Sequence, residues 1–111
     1  MGMLPPLPPM LNLTDAQRDQ MKSLADSHRD EWKALGDRDR AVHEAVHAAE
    51  MADPVDDNLI RANVAEAAAV ETDMAVARAH TRVDVFQILT DDQKAQLKQM
   101  EGRMKGRGPR Q

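Results

Sequence analysis

LTDAQ at residues 13–17 returns almost unchanged as LTDDQ at residues 89–93. Each copy reads as a helix start. Thr14 and Thr90 stand at the N-cap, and Gln17 and Gln93 stand three residues on, at N3. At that spacing the threonine hydroxyl accepts from the N3 amide while the glutamine side chain reaches back to the N-cap amide, the reciprocal pairing of a capping box. Asp15, Asp91 and Asp92 put negative charge in the first turn, where the helix dipole favours it. Arg18 and Lys94 at N4 leave a hydrophobic staple incomplete, so Leu13 and Leu89 are expected to pack on another helix. One such box is an ordinary cap. Two near-identical boxes, one towards each end, organise the whole chain as helices.

Working outward, Met21, Leu24, His28, Trp32 and Leu35 recur at spacings of three and four and make one apolar stripe. They predict a helix over about 15–35, punctuated by Gly36 and Asp37. A second helix, about 38–52, carries Val42, Ala45, Val46 and Ala49 on one face. Asp53-Pro54 reads as an N-cap followed by an N1 proline. A long helix is expected from there to about residue 89, rich in alanine and free of internal glycine. Two apolar stripes run along it. One is Val64, Ala67, Val70, Met74, Ala77, Val85 and Ile88; the other is Ala65, Ala69, Val76, Ala79, Val83 and Phe86. A helix that is apolar on two sides needs two neighbours. At 1.5 Å per residue it spans about 50 Å, long for one short partner. A hairpin within the chain, completed by a second copy in a homodimer, is the expected solution. A last helix, about 91–105, aligns Leu97, Met100 and Met104. No segment alternates as a strand would. The expected fold class is therefore all-α, with about four helices. Residues 1–12, rich in proline, are expected to be extended or disordered, 13–105 to form the helical domain, and 106–111 to be a disordered basic tail.

Composition narrows function. The 111 residues suit one domain. Aromatics are only 2%, so the core is thin and suits slender helices. A net charge of −4 argues against a nucleic-acid binder. The absence of cysteine excludes disulfides and thiolate metal sites. No apolar run reaches the roughly 18 residues of a membrane span. The opening MGMLPPLPPM has neither a basic nor an apolar signal region, so an exported protein is expected to carry this chain as its processed form.

The paired motifs, in NLTDAQRDQMKSL and ILTDDQKAQLKQM, resemble those of the Spy/CpxP family of bacterial periplasmic proteins. The acidic turn ADPVDD and the alanine-rich helix that runs into the second motif agree with that resemblance, which covers about residues 12–105. It implies an antiparallel, curved, all-helical homodimer in the periplasm, without enzymatic activity. Spy-like members bind partly folded client proteins without ATP and suppress aggregation in envelope stress. CpxP-like members restrain a sensor kinase, and ZraP-like and CnrX-like relatives bind heavy metals. The expected function is an ATP-independent chaperone needing no cofactor. The alternatives are a heavy-metal-binding or sensor protein, or a kinase regulator.

His43-Glu44-Ala45-Val46-His47 carries the alternative. It matches the H-E-x-x-H of zinc proteases, but the G-x-x-H that supplies the third histidine is absent, with Glu50 and Asp53 at its glycine and histidine positions, and no strand lines a cleft. Glu66 or Glu71 downstream can supply a third ligand to such a zinc; without catalysis, the i, i+4 histidine pair is still half a site for Zn, Ni or Cu, with Glu50 or a histidine of a second copy to complete it. A CnrX-like site would also use a His and a Met near the end of the long helix, where this chain has His80, Asp84, Val85 and Phe86. His28, on the first apolar stripe, reads as a partly buried, hydrogen-bonded residue. Met21, Met74, Met100 and Met104 read as gap fillers, or as an adaptable client surface. Arg38, Arg40, Arg61, Arg78 and Arg82 read as solvated helix faces, or as charges that draw clients in.

Overall fold

A computed structural model describes residues 3–5 and 7–106; most of the basic tail and the side chain of Met104 lie outside the described residues. Three α-helices account for nearly all of it: α1, Asp15–Glu50; α2, Asp57–Ile88; and α3, Asp91–Gly106. No strand occurs among the described residues. The fold is all-α, with three helices where four were expected.

The missing boundary lies at Gly36. The two helices expected at 15–35 and 38–52 are one, because the apolar stripe never changes phase there. Trp32, Leu35 and Ala49 are buried, with Val42, Ala45 and Val46 half-buried between them on the same face. Glycine in a helix costs about 1 kcal/mol relative to alanine. A helix that buries its stripe on both sides of the glycine absorbs that cost.

The second difference is the start of α2. Asp56, not Asp53, is its N-cap: the carboxylate Oδ1 accepts from Leu59 N–H at 3.1 Å. Residues 51–56 form the turn. Of the aspartates in this acidic turn, Asp56 is the one whose side chain meets a free first-turn amide.

α1 and α2 form an antiparallel hairpin. Asn63 Nδ2 donates to Ala45 O near the turn, Arg38 pairs with Asp73 in the middle, and Gln17 Nε2 donates to Ile88 O at the open end. Val70, Thr81 and Val85 of α2 are buried against α1. Val64, expected on that stripe, is exposed, and Asn63 takes the inward position. The merged α1 has 36 residues and α2 has 32, so the long helix does find a partner of its own length. The need for a second chain then rests on the outer stripe of α2 alone.

At the open end, Met21, Val85, Leu89 and Leu97 form a buried cluster. Leu13, Leu24, Phe86, Ile88 and Met100 pack around it. Leu13 and Leu89 thus both pack in this cluster, contacting residues of other helices. The proline-rich start, expected to be extended or disordered, includes a 3-10 turn at Pro9–Leu11 with Leu11 buried. The molecule is thin, with extents of 57 × 39 × 18 Å. Its radius of gyration of 18.3 Å exceeds the ~13 Å of a compact domain this long.

Candidate functional site

The two motifs meet. Thr14 Oγ1 accepts from Gln17 N–H at 3.1 Å, and Thr14 N–H donates to Gln17 Oε1 at 2.9 Å. The second box repeats this: Thr90 Oγ1 accepts from Gln93 N–H at 3.2 Å, and Thr90 N–H donates to Gln93 Oε1 at 2.9 Å. Each glutamine amide then has a free NH2 group, and the two face each other. Gln17 Nε2 donates to Gln93 Oε1 at 2.7 Å, and Gln93 Nε2 donates to Gln17 Oε1 at 3.1 Å. The remaining hydrogens go to backbone carbonyls, from Gln17 to Ile88 O at 3.1 Å and from Gln93 to Leu11 O at 2.9 Å. Both side chains are buried, and each uses two donors and two acceptor positions, the full capacity of an amide. The near-symmetry breaks at one place. The carbonyl taken by Gln17 lies one residue before Leu89, whereas that taken by Gln93 lies two before Leu13. Asn12, left-handed at φ 52°, supplies the extra step.

This clasp holds α1, α2, α3 and the N-terminal segment at one point. Its threonines and glutamines were legible as caps. Their mutual bond was not, although each box leaves an amide NH2 unspent, and two such boxes in one chain can spend them on each other.

The outer face of α2 is the second feature. Val76 is 52% exposed and Val83 54%. Ala65, Ala69 and Ala79 are exposed on the same side, about half a turn from Val70, Thr81 and Val85. Near the hairpin turn, Met51, Val55, Leu59 and Val64 are also exposed. Several charged side chains of the hairpin are paired: Arg38 with Asp73, Arg40 with Asp37, Arg78 with Glu71. Arg82 makes two bonds to Glu101, of 3.0 and 2.8 Å, with its guanidinium 4.3 Å from the Phe86 ring centre. This fork pins α3 to α2. The hydrogen bonds hold the Glu101 carboxyl below its usual range and raise Arg82.

His43 and His47 are both exposed and line a surface groove with Asp39, Arg40 and Glu44. His43 Nδ1 lies 2.7 Å from Asp39 O, which leaves Nε2 outward. Glu50 is exposed as well. Among the described residues no three metal-ligating side chains gather to hold an ion. His28 is half-buried, stacked on Trp32 with ring centres 5.5 Å apart, and its Nδ1 lies 3.3 Å from Glu31. Met21 is buried, and Met74 and Met100 are half-buried.

A family model described as LTXXQ motif family protein matches residues 8–101, most of the chain and both motifs. No curated protein and no solved structure matches.

Proposed function

Since the chain belongs to the LTXXQ motif family, the family of Spy/CpxP-like periplasmic proteins, we propose that it is an ATP-independent periplasmic chaperone that binds partly folded proteins in envelope stress. The observation that carries the reading is the apolar surface left exposed near the hairpin turn of a thin, charged frame, at Met51, Val55, Leu59 and Val64. Shallow apolar patches ringed by charge bind many sequences weakly, as a general client site must. The small side chains of the α2 outer face let a second helix approach closely, and we assign that face to an antiparallel homodimer. No helix among the described residues is long and apolar enough to cross a membrane. The reading includes no catalysis and no cofactor. Restraint of a sensor kinase is a further use of the same surfaces.

The purified protein is expected to slow aggregation of an unrelated unfolding client without ATP. Val76→Lys with Val83→Lys is expected to give a monomer of unchanged helicity in ultracentrifugation. A well-folded protein that leaves aggregation untouched at several-fold excess would sink the chaperone reading.

A second reading rests on the outward Nε2 of His43 beside His47. Holding the other ring nitrogen by a carbonyl is how ligating histidines are oriented. Zn, Ni or Cu binding that weakens as pH falls through the histidine range, and is lost in His43→Ala with His47→Ala, would support it.

A further inference from the structure

Among the described residues, 3–5 and 7–11 form a strap across the core end of the hairpin. Leu4 and Leu7 pack, partly buried, on the cluster of Met21, Val85, Leu89 and Leu97. Leu11 is buried in the 3-10 turn that sits on α3. The attachment differs from that of the helices. Within the strap, Leu11 N–H donates to Pro8 O, and Asn12 N–H donates to Pro9 O just after it, both at 3.1 Å. The outward bond is Leu11 O accepting from Gln93 Nε2. Among the described residues, positions 3–10 make no hydrogen bond to a helix. Pro5, Pro8 and Pro9 have no N–H to satisfy, so this stretch needs little backbone pairing. What holds it is leucine side chains at i, i+3 and i+7 on an apolar surface. Such contacts are non-directional. Another extended segment with aliphatic side chains at similar spacing makes the same ones, and one of its carbonyls can accept from Gln93 in place of Leu11.

We propose that the surface beneath the strap is a second, gated client site, which takes an extended leucine-bearing segment of a partly unfolded polypeptide in place of the strap. The proposal rests on the chaperone reading and adds to it. The exposed patches capture a client, and the strap-covered surface then receives one of its extended segments. The tether sets the threshold. A linked segment competes at an effective concentration on the order of millimolar, so a free peptide displaces it poorly, whereas a client already held elsewhere on the chain competes on equal terms. A folded protein with no extended apolar segment does not displace it.

The test uses the full chain, a fluorescent peptide of the sequence of residues 3–11, and a permanently unfolded client. The variant Leu4→Asp with Leu7→Asp weakens the strap without touching the helices. It is expected to bind the peptide about tenfold more tightly than the unaltered chain, and saturating peptide is expected to displace part of the client from it. Should circular dichroism show that this variant loses helix, Leu7→Ala in its place gives the same comparison at lower contrast. Amide exchange on the unaltered chain adds an independent readout: client binding is expected to speed exchange at Leu11 and Asn12, whose amides donate to Pro8 O and Pro9 O, while the α1–α2 hairpin stays protected. Equal peptide affinity in variant and unaltered chain, or a strap that stays as protected with client bound as without, would overturn the proposal. If aggregation is suppressed but the strap plays no part, the gate falls and the chaperone reading stands. If nothing is suppressed, the chaperone reading falls and the gated client site falls with it, and tighter peptide binding by the weakened variant then shows only a displaceable strap.

Discussion

Gln17 and Gln93, 76 positions apart in the chain, exchange two amide hydrogen bonds of 2.7 and 3.1 Å in a buried site where no buried side-chain polar atom among the described residues lacks a partner. Truncating either one orphans several groups together. Gln93→Ala strips partners from Thr90 N–H, the Gln17 amide and Leu11 O. Leaving one buried group unpaired costs about 1–3 kcal/mol, so each alanine variant is expected to lose about 3 kcal/mol or more in chemical denaturation. Removing both residues is expected to cost less than the sum of the singles, because the second removal takes away groups already orphaned. Strict additivity would mean the pair is not coupled.

The cap threonines act more locally. Thr14→Ala and Thr90→Ala each remove one acceptor from an N3 amide, and each is expected to cost about 0.5–2 kcal/mol. Both glutamines stay in place, so these losses should be smaller than those of the glutamine variants. Melting curves that match the unaltered chain for both would refute the capping role.

Gly36→Ala is expected to stabilise. A Cβ at this position meets nothing within 4 Å, and the residue lies inside α1. The gain should approach the roughly 1 kcal/mol that separates glycine from alanine in a helix. A drop in melting temperature would show that α1 needs to bend or open there.

Acid is expected to loosen α3 before the hairpin. The folded-state pKa of Glu101 is lowered by its bonds to Arg82. Its contribution is therefore complete above the ordinary glutamate range and is lost as pH falls through that range towards the lower folded value. Amide protection in α3, taken relative to the intrinsic exchange rate at each pH and followed from neutral pH to about pH 3 across the glutamate value, should fall more than in the middle of α1. Glu101→Gln should raise α3 exchange at neutral pH and flatten the difference. Unchanged pH dependence in that variant would remove the fork from the account.

Much of this architecture was legible because the two motifs announce helix starts in side-chain chemistry that acts over three residues. α3 was expected over 91–105 and spans Asp91–Gly106. The inward stripe of α1, from Met21 to Leu35, was legible for a similar reason, since a period of 3.6 is a local property. Gly36 misled because a propensity of about 1 kcal/mol is weak beside the burial of Trp32, Leu35 and Ala49 on either side. Asp53 misled because the acidic turn offers several aspartates, and only the fold decides which carboxylate meets an unpaired amide. The amide pair, the Arg82–Glu101 fork and the seat of Leu11 join residues far apart in sequence, where no periodicity reaches. For His43 and His47 the sequence placed the pair on one helix face, and the structure adds the carbonyl that orients one ring.

The clasp also orders events in time. Near the turn, Asn63 meets Ala45 across 18 residues, whereas Gln17 meets Gln93 across 76. Closing the longer loop from an open chain costs about 1 kcal/mol more in entropy. The hairpin is therefore expected to zip from its turn outward, with the two amides engaging after most of the helix surface is already in place. Interactions formed that late slow escape from the native state without hastening arrival. Clasp variants should thus steepen loss of the native state in stopped-flow denaturant jumps while refolding rates stay near those of the unaltered chain; slowed refolding would place the junction in the folding nucleus instead. The duplicated motif is in this sense a latch on residence time: it keeps a frame with so little core closed for longer than its buried area alone would.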